Sequence, residues 1–268
     1  MILYKYVDLF TEMKIVRNPS VKFTHPYDLN DPFEITSSFY EADDHDYSHK
    51  NNYSNLLKLT SSYGVLSLSR APLNALMWAH YARGKRYGDS KFIHFGEKNT
   101  THGGLVIGID ANKAGLNDEG NNIIPAKFGS VIYTSTKPTS RFNDSENISI
   151  IEGMVTHYDY KYLEALQRIF LYKSVDWSYE EEVRVVRNIT RGYEKEYGQE
   201  IIAIDKNSIK EIYIGSIHSF PLESASFIFS EIKKNLPNCE VSLCNTNGKG
   251  WNINAKPFSN QSQNLDGT

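Results

Sequence analysis

Short runs of Val, Ile, Leu and Tyr recur along the chain and are separated by polar stretches of irregular length. Such runs are typical of β-strands, which we predict at 2–7, 21–24, 64–69, 103–110, 129–135, 182–188, 200–205, 210–215 and 239–244. Apolar residues spaced three to four apart indicate helices at 72–82, 160–173 and 221–236, with a helical turn around 8–16. Strands and helices do not alternate regularly, which favours an α+β fold over a doubly wound sheet.

The predicted architecture is therefore a mixed, mainly antiparallel set of twisted sheets with flanking helices. No linker rich in Pro and Gly divides the 268 residues, so we predict a single domain over 1–250. The stretch 251–268 is rich in Asn, Gln, Ser and Gly, a composition typical of a disordered tail. The polar stretches 40–54, 83–103 and 138–149 are predicted to be loops or connectors.

Composition excludes several functional classes. The net charge of −3 leaves no overall basic footprint, so any contact with nucleic acid has to be local. Two cysteines, Cys239 and Cys244, are too few for a disulfide framework or a structural zinc site. The start of the chain lacks the pattern of a signal peptide, and no apolar run is long enough to span a membrane. We predict a cytoplasmic protein without membrane contact.

The common catalytic fingerprints are missing from the sequence. There is no dinucleotide-binding glycine motif, no phosphate-binding loop, no zinc-protease motif and no nucleophile elbow. The run DDHDYSH at 43–49 contains His and Asp residues that could ligate a metal, but such runs are usually solvated loops. We predict no bound metal.

The stretch SVDWSYEEEVRVV at 174–186 places three consecutive glutamates at the entry of a predicted strand. If Val183 and Val185 face the core, period-2 geometry puts Glu182 and Arg184 on the opposite face. Glu180 shares that face if the extended structure begins there, whereas Glu181 lies with the valines or in a turn. An arginine beside a carboxylate holds it ionised, as a catalytic site can require. Exposed charges that protect a strand edge are the equally supported alternative.

Two other strands carry polar side chains at places where a ligand could bind. Ser67 and Ser69 share one face near the end of a predicted strand, and Arg70 follows them with a charge suited to phosphate. A face that carries two serines can equally be turned towards water. Lys5 lies between Tyr4 and Tyr6 on the first strand, and it too can either contact a ligand or face water.

Two further motifs combine aromatic and polar residues. NDPFE at 30–34 begins with Asn30, and its Asn, Asp and Pro residues favour a structural turn over a binding role. MWAHY at 77–81 places Trp78, His80 and Tyr81 on one predicted helix. Aromatic residues on helices belong to the core more often than to a site, but Trp78 and Tyr81 cannot both face the core squarely.

Six short signatures occur in order along the chain: LYKY at 3–6, LNDPFE at 29–34, LSLS at 66–69, MWAHYA at 77–82, GLVIGID at 104–110 and W-x-Y-E-x-E-x-R at 177–184. As a set, over residues 2–215, they resemble a widespread bacterial family catalogued only as a domain of unknown function. The long segment 83–103 departs from that pattern, in which a short connection is expected.

That family in turn resembles ADP-ribosyltransferase toxins, including those of toxin–antitoxin and phage-defence systems that modify DNA or RNA. The resemblance implies that Glu182 is the catalytic carboxylate, with Glu180 as a second candidate and Arg184 as its orienting partner. It also implies an NAD site on the first strand, the middle strand and the nearby helix. The residues concerned are Tyr4, Lys5, Tyr6, Asn30, Ser67, Ser69, Arg70, Trp78, His80 and Tyr81. Lys or Tyr stands where Arg or His is commoner on the first strand of such enzymes.

The resulting hypothesis is an NAD-dependent ADP-ribosyltransferase-like toxin or defence effector, with RNA or DNA as the expected acceptor. NAD serves as a substrate in this chemistry, and no metal is needed. An inhibitory protein partner of the antitoxin type is expected for a toxic enzyme. The alternative is a non-catalytic module that senses a ligand or binds a protein through the same aromatic cleft.

Overall fold

The computed structural model describes residues 1–31, 33–34, 49–85, 99–136, 144–189, 200–215, 222–246 and 249–258. The helices in this part of the chain are α1 Leu9–Arg17, α2 His49–Ser62, α3 Ala75–Tyr81, α4 Asp144–Ile151, α5 Leu163–Phe170 and α6 Leu222–Asn235. The strands are β1 Ile2–Val7, β2 Ser20–Phe23, β3 Tyr63–Ser69, β4 Gly84–Lys85, β5 Asn99–Thr100, β6 Leu105–Asp110, β7 Ile132–Thr134, β8 Tyr172–Ser174, β9 Glu182–Asn188, β10 Glu200–Ala203, β11 Ile209–Ile214, β12 Glu240–Thr246 and β13 Ile253–Pro257.

These elements confirm the predicted α+β class with a mixed, mostly antiparallel sheet. The chain divides into two compact units, each made of several segments. Unit one comprises Met1–Ser20, Leu68–Ala114 and Ala203–Thr268, and unit two comprises Val21–Ser67 and Gly115–Ile202. Because each unit is discontinuous in sequence, no linker marks a boundary between them.

Unit one is built on strands in the order β13-β12-β11-β6-β1, followed by the end of β3. The pair β11–β12 is parallel, and the neighbouring pairs are antiparallel. Alternation places Leu3, Ile107 and Ile212 on one face of these strands, and all three are fully buried. The apolar stripe predicted for the last helix is likewise buried, at Ala225, Phe229 and Ile232 on α6 and at Leu236 directly after it.

Unit two contains the start of β3 with its neighbour β9, and the short parallel pair β7–β8. Most residues of the two-stranded sheet β2–β10 also belong to it. Its core is a cluster of buried apolar side chains from α2, β3, α4, α5 and β9, and from the loops between them. The members are Leu59, Tyr63, Val65, Ile123, Ile124, Ile150, Ile151, Val155, Leu166, Ile169, Phe170, Leu171 and Val186.

Several predicted loops are regular structure. Residues 49–54 belong to α2, and residues 144–149 belong to α4. Both helices are polar at one end, but they bury Leu59, Ile150 and Ile151 in the core of unit two. Burial of these few apolar residues outweighs the weak helix propensity of the Asn and Ser residues around them.

Three further expectations need correction. The predicted disordered tail is wrong for Ile253–Pro257, which pair with β12 as an edge strand. The predicted helix 160–173 is α5 alone, preceded by a 3-10 turn at Tyr160–Tyr162 and followed by β8. Within the predicted loop 83–103, β4 pairs with β5, while residues 86–98 lie outside the described part of the chain.

Helix α3 begins later than the proline signal predicts. Asn74 is its N-cap, and the side-chain oxygen of Asn74 accepts hydrogen bonds from the backbone N–H groups of Leu76 (3.0 Å) and Met77 (3.2 Å). Pro72 lies before the cap, and its carbonyl accepts a 2.8 Å hydrogen bond from Trp78 Nε1. The cap therefore fixes the helix start three residues after the predicted one.

None of the helices described here has the length and apolar character required to cross a bilayer.

We expect Asn74→Ala to lower the free energy of unfolding by about 1 kcal/mol, because it leaves two N–H groups of α3 without an acceptor. Chemical denaturation followed by circular dichroism measures the change. Asn74→Ser retains a capping oxygen and serves as the matched control. Equal losses for the Ala and Ser variants would contradict the assignment of Asn74 as the cap.

Candidate functional site

The three consecutive glutamates enter β9 through a tight turn. Residues Val175–Glu180 form a 3-10 helix that ends at Glu181, which has a left-handed backbone with φ 44°. Glu181 is exposed and lies in this turn, as one of the two sequence interpretations predicted. Glu180 is not part of the extended strand, but the left-handed residue between them brings both Glu180 and Glu182 into the interior.

Five charged side chains of unit two form a buried group, here named the charge cluster: Glu34, Lys173, Glu180, Glu182 and Arg184. Their exposed fractions are 5%, 8%, 4%, 5% and 1%, respectively. The interpretation of Glu180, Glu182 and Arg184 as exposed edge charges is therefore wrong. Three carboxylates face two cations, so the cluster carries an excess negative charge when all five groups are ionised.

Arg184 holds Glu182 through both carboxylate oxygens. Its Nε lies 2.8 Å from Glu182 Oε1, and its Nη2 lies 3.0 Å from Glu182 Oε2. The guanidinium makes two further contacts, in which Nη1 donates to the Phe170 carbonyl at 2.7 Å and Nη2 approaches Glu34 Oε2 at 2.5 Å. A fork geometry of this kind fixes the plane of the carboxylate as well as its position. The contact predicted between Arg184 and Glu182 is confirmed.

Lys173 joins all three carboxylates. Its Nζ lies 3.1 Å from Glu34 Oε1, 2.5 Å from Glu180 Oε2 and 3.0 Å from Glu182 Oε2. The same nitrogen lies 5.0 Å from the centroid of the Trp177 ring, within the range of a cation–π contact.

The two cations determine the ionisation state of Glu182. Burial alone would raise the pKa of Glu182, but the charges of Arg184 and Lys173 outweigh it. Hydrogen bonds from Arg184 and Ser67 act in the same direction, so the pKa of Glu182 lies well below its usual range. Burial would lower the pKa of Lys173, but the three carboxylates raise it above its ordinary value. Glu182, Lys173 and Arg184 are thus all charged at neutral pH.

The backbone around Glu182 and Arg184 is held by strand β7 and the turn before it. The Glu182 N–H donates to Tyr133 Oη at 2.9 Å, and the Arg184 N–H donates to the Gly129 carbonyl at 2.7 Å. Burial raises the pKa of Tyr133 to about 12, with Glu182 and Glu180 adding to the effect. A Cβ at Gly129 would lie 1.9 Å from the Arg184 carbonyl oxygen, so only glycine permits this approach.

Glu34 reaches the cluster from the turn that precedes it. Asp31 holds this turn, because its Oδ1 accepts a 2.9 Å hydrogen bond from the Phe33 N–H and its carbonyl accepts from the Glu34 N–H at 3.2 Å. The structural turn predicted for NDPFE is therefore present, but its last residue belongs to the charge cluster. Asn30, the residue of this motif predicted to bind the cofactor, is exposed.

Sequence reasoning missed Glu34, Lys173 and Tyr133. Glu34 carried a signal, because it ends one of the six ordered signatures. Lys173 and Tyr133 meet through the parallel register of β7 and β8, where Tyr133 lies opposite Lys173. A pairing between residues so far apart in sequence leaves no local pattern.

Three of the predicted cofactor residues meet within unit one. The Tyr6 and Trp78 rings pack edge to face with centroids 5.9 Å apart. Tyr6 Oη donates to the Ala71 carbonyl at 2.5 Å, and Ser69 Oγ accepts from the Ala71 N–H at 3.1 Å. Trp78 is fully buried and Ser69 is 1% exposed, so the interpretation of Ser69 as water-facing is wrong.

The other predicted cofactor residues are spread over different surroundings. Tyr4 Oη donates to Glu211 Oε2 at 3.2 Å, Lys5 is half-buried, and Arg70 and His80 are exposed. Tyr81 is half-buried, with its ring centroid 6.2 Å from that of His80. Ser67 belongs to unit two and donates to Glu182, which puts this predicted cofactor residue in direct contact with the charge cluster. The cofactor roles of all these residues stay predictions.

Over the described ranges, no group of three or more His, Cys, Asp or Glu side chains is arranged to hold a metal ion. Residues 43–48 of the Asp- and His-rich run lie outside the described ranges.

Residues 77–185 match the model of a family described as a protein of unknown function (DUF2971). The match agrees with the expected uncharacterised family, although it is shorter than the predicted span of 2–215. It contains Lys173, Glu180, Glu182 and Arg184, whereas Glu34 lies outside it. Neither a curated protein nor a solved structure matches the chain significantly. The resemblance to ADP-ribosyltransferases stays a prediction.

We expect Gly129→Ala to destabilise the protein by about 2 kcal/mol, because its methyl group would collide with the Arg184 carbonyl oxygen. Gly120→Ala is the matched control, since a Cβ there meets only the exposed Asp118 Oδ1 at 3.3 Å. Thermal unfolding of both variants measures the difference. Equal stability of the two variants would contradict the close approach at Gly129.

Glu182 should stabilise the fold in a pH-dependent way. Its pKa is lower in the folded than in the unfolded protein, so its contribution is present above a pH of about 4 and is lost as the pH falls further. We therefore expect Glu182→Gln to cost about 3 kcal/mol at neutral pH. The difference from wild type should shrink by roughly 1 kcal/mol per pH unit below a pH of about 4.

Denaturation at several pH values tests this expectation, with Glu181→Gln as the control because Glu181 is exposed in the adjacent turn. A difference between wild type and Glu182→Gln that stays constant, or grows, in acid would contradict it.

Proposed function

We propose that the protein is an NAD-dependent ADP-ribosyltransferase-like toxin or defence effector that transfers ADP-ribose to a nucleic acid. The observation that supports this most is the Glu182 carboxylate, which Arg184 and Lys173 keep ionised in a site with little solvent. In such a site, a fixed negative charge acts much more strongly on developing positive charge than it would in water.

The low pKa of Glu182 defines what kind of chemistry it can perform. A carboxylate with a depressed pKa is a poor proton acceptor, so Glu182 is unsuited to act as a general base. It is well suited to accept a hydrogen bond from a ribose hydroxyl and to stabilise a cation. Breaking the bond between nicotinamide and ribose requires this stabilisation, because an oxocarbenium-like state develops at the sugar carbon.

In the proposed reaction, nicotinamide leaves with the bonding electron pair as a neutral molecule. The sugar carbon then forms a bond to an oxygen or nitrogen of the acceptor, which releases its proton to solvent water. Glu182 stays ionised throughout and neither donates nor accepts that proton. Glu180 has an ionic partner in Lys173 and is the second carboxylate near the reacting ribose.

Aromatic side chains beside the charge cluster support a ligand with a planar ring. Trp177 and Tyr179 are half-buried with ring centroids 6.1 Å apart, and Phe33, next to Glu34, is 65% exposed. Aromatic rings of this kind can stack on nicotinamide or on an unstacked base. A partner that inhibits the enzyme is proposed to cover this part of unit two.

A second candidate is a non-catalytic module that binds a ligand or a protein. It is favoured by the complete pairing of Glu182, whose two oxygens both contact Arg184 and one of which also contacts Lys173. A fully paired network can serve as a structural support beneath a binding surface. The two candidates differ in whether nicotinamide is released.

We expect wild-type protein to release nicotinamide from labelled NAD and to transfer the label to RNA or DNA in a cell extract. Glu182→Gln should reduce both rates at least about 100-fold, as does the loss of other preorganised electrostatic groups. The matched control is Glu181→Gln, because Glu181 is the adjacent glutamate but is exposed. Circular dichroism of each variant shows whether the fold is retained.

Induced expression provides a second readout in cells. Wild type and Glu181→Gln should arrest growth, whereas Glu182→Gln should not. Absence of both nicotinamide release and label transfer in the wild type would reject the enzyme and leave the binding module. Label in protein rather than in nucleic acid would contradict the proposed acceptor alone.

A further inference from the structure

Lys173 occupies an unusual position for a single buried ammonium group. It contacts one oxygen from each of three carboxylates, on the turn ending at Glu34, on the 3-10 helix ending at Glu180 and on β9 at Glu182. Two of these contacts, with Glu180 and Glu182, are hydrogen bonds, and the contact with Glu34 is an ion pair at 3.1 Å. The ammonium group of Lys173 is thus directed at the three carboxylates.

Arg184 binds both oxygens of one carboxylate, whereas Lys173 contacts one oxygen of each of three. Its guanidinium binds both oxygens of Glu182 and is anchored on the Phe170 carbonyl, so it fixes one carboxylate relative to the end of α5. It also reaches Glu34. Lys173, in contrast, contacts both Glu180 and Glu182 and so links these two carboxylates.

We propose that Lys173 is a positioning residue of this site, which couples Glu34, Glu180 and Glu182 and holds the three carboxylates in place together. The catalytic consequence of this coupling depends on the proposed function, whereas the coupling itself does not. Lys173 acts through the carboxylates and does not contact the substrate.

Removing Lys173 changes the balance of charge around Glu182. Arg184 would then face three buried carboxylates alone, with Tyr133 on β7 and Tyr179 on the 3-10 helix as the other titratable neighbours. Both tyrosines are neutral at pH 7, since burial and the nearby carboxylates raise their pKa values. One carboxylate is consequently expected to take up a proton near neutral pH in Lys173→Met.

The first test compares nicotinamide release by wild type, Lys173→Met and Lys161→Met between about pH 5 and pH 8. Lys161 is the control because it is an exposed lysine of unit two, whose Nζ lies 3.0 Å from Asp159 Oδ2. We expect Lys173→Met to be about 100-fold slower at pH 7, since misplaced groups have effects of this size. Its rate should fall further below wild type as the pH decreases. A ratio of the two rates that does not change with pH would overturn the proposal.

The second test measures stability and needs no activity. Glu180→Gln should lower the Tm of wild type, because it weakens a partner of Lys173. In the Lys173→Met protein, the same change should raise the Tm, because it removes one of the carboxylates that repel each other. If Glu180→Gln lowers the Tm of wild type and of Lys173→Met equally, the proposed coupling is overturned.

The stability test also applies if Lys173→Met does not fold. Recovery of folded protein in the Lys173→Met/Glu180→Gln double variant would then support the proposal, and a double variant that also fails to fold would contradict it. If the wild type releases no nicotinamide, the proposed function fails. The role of Lys173 is still decided by whether Glu180→Gln raises or lowers the Tm of wild type and of Lys173→Met.

Discussion

The burial of Glu34, Glu180 and Glu182 against Lys173 and Arg184 is the interaction on which the rest of unit two depends. Removing five charged groups from water is costly, and a buried pair that loses one partner is strongly destabilising. Every element around the cluster has to deliver its side chain accurately. The left-handed residue Glu181, the glycine at Gly129 and the turn held by Asp31 all serve this requirement. Charged groups with strongly shifted pKa values occur often at functional sites, and this is the basis on which the cluster is proposed as one.

Much of the fold follows from local patterns in the sequence. Strand β9 lies at its predicted position, and the apolar stripe of α6 is buried as its spacing indicated. The errors occur where distant contacts decide local structure. Helix α2 is stabilised by burial of Leu59, and the strand Ile253–Pro257 pairs with β12 and buries Ile253. Neither contact produces a periodic hydrophobic pattern in the local sequence from which it could be predicted.

The candidate site was predictable only in part, for a related reason. Period-2 alternation correctly grouped Glu182 with Arg184, because both lie on one strand. The neighbours contributed by other elements were out of reach of such reasoning. Lys173 arrives through the register of two strands, and Glu34 arrives from a turn 150 residues before Arg184. The composition of the EEE run suggested solvent exposure, whereas its geometry separates one exposed glutamate from two buried ones.

The central claim is that Glu182 is a buried carboxylate held ionised by two cations. Carbon-13 NMR of glutamate-labelled protein, with the Glu182 resonance assigned by comparison with Glu182→Gln, measures its charge directly. We predict that this carboxyl resonance stays at its ionised position from about pH 8 down to about pH 4. Titration of Glu182 at or above the ordinary pKa of a glutamate would contradict the account.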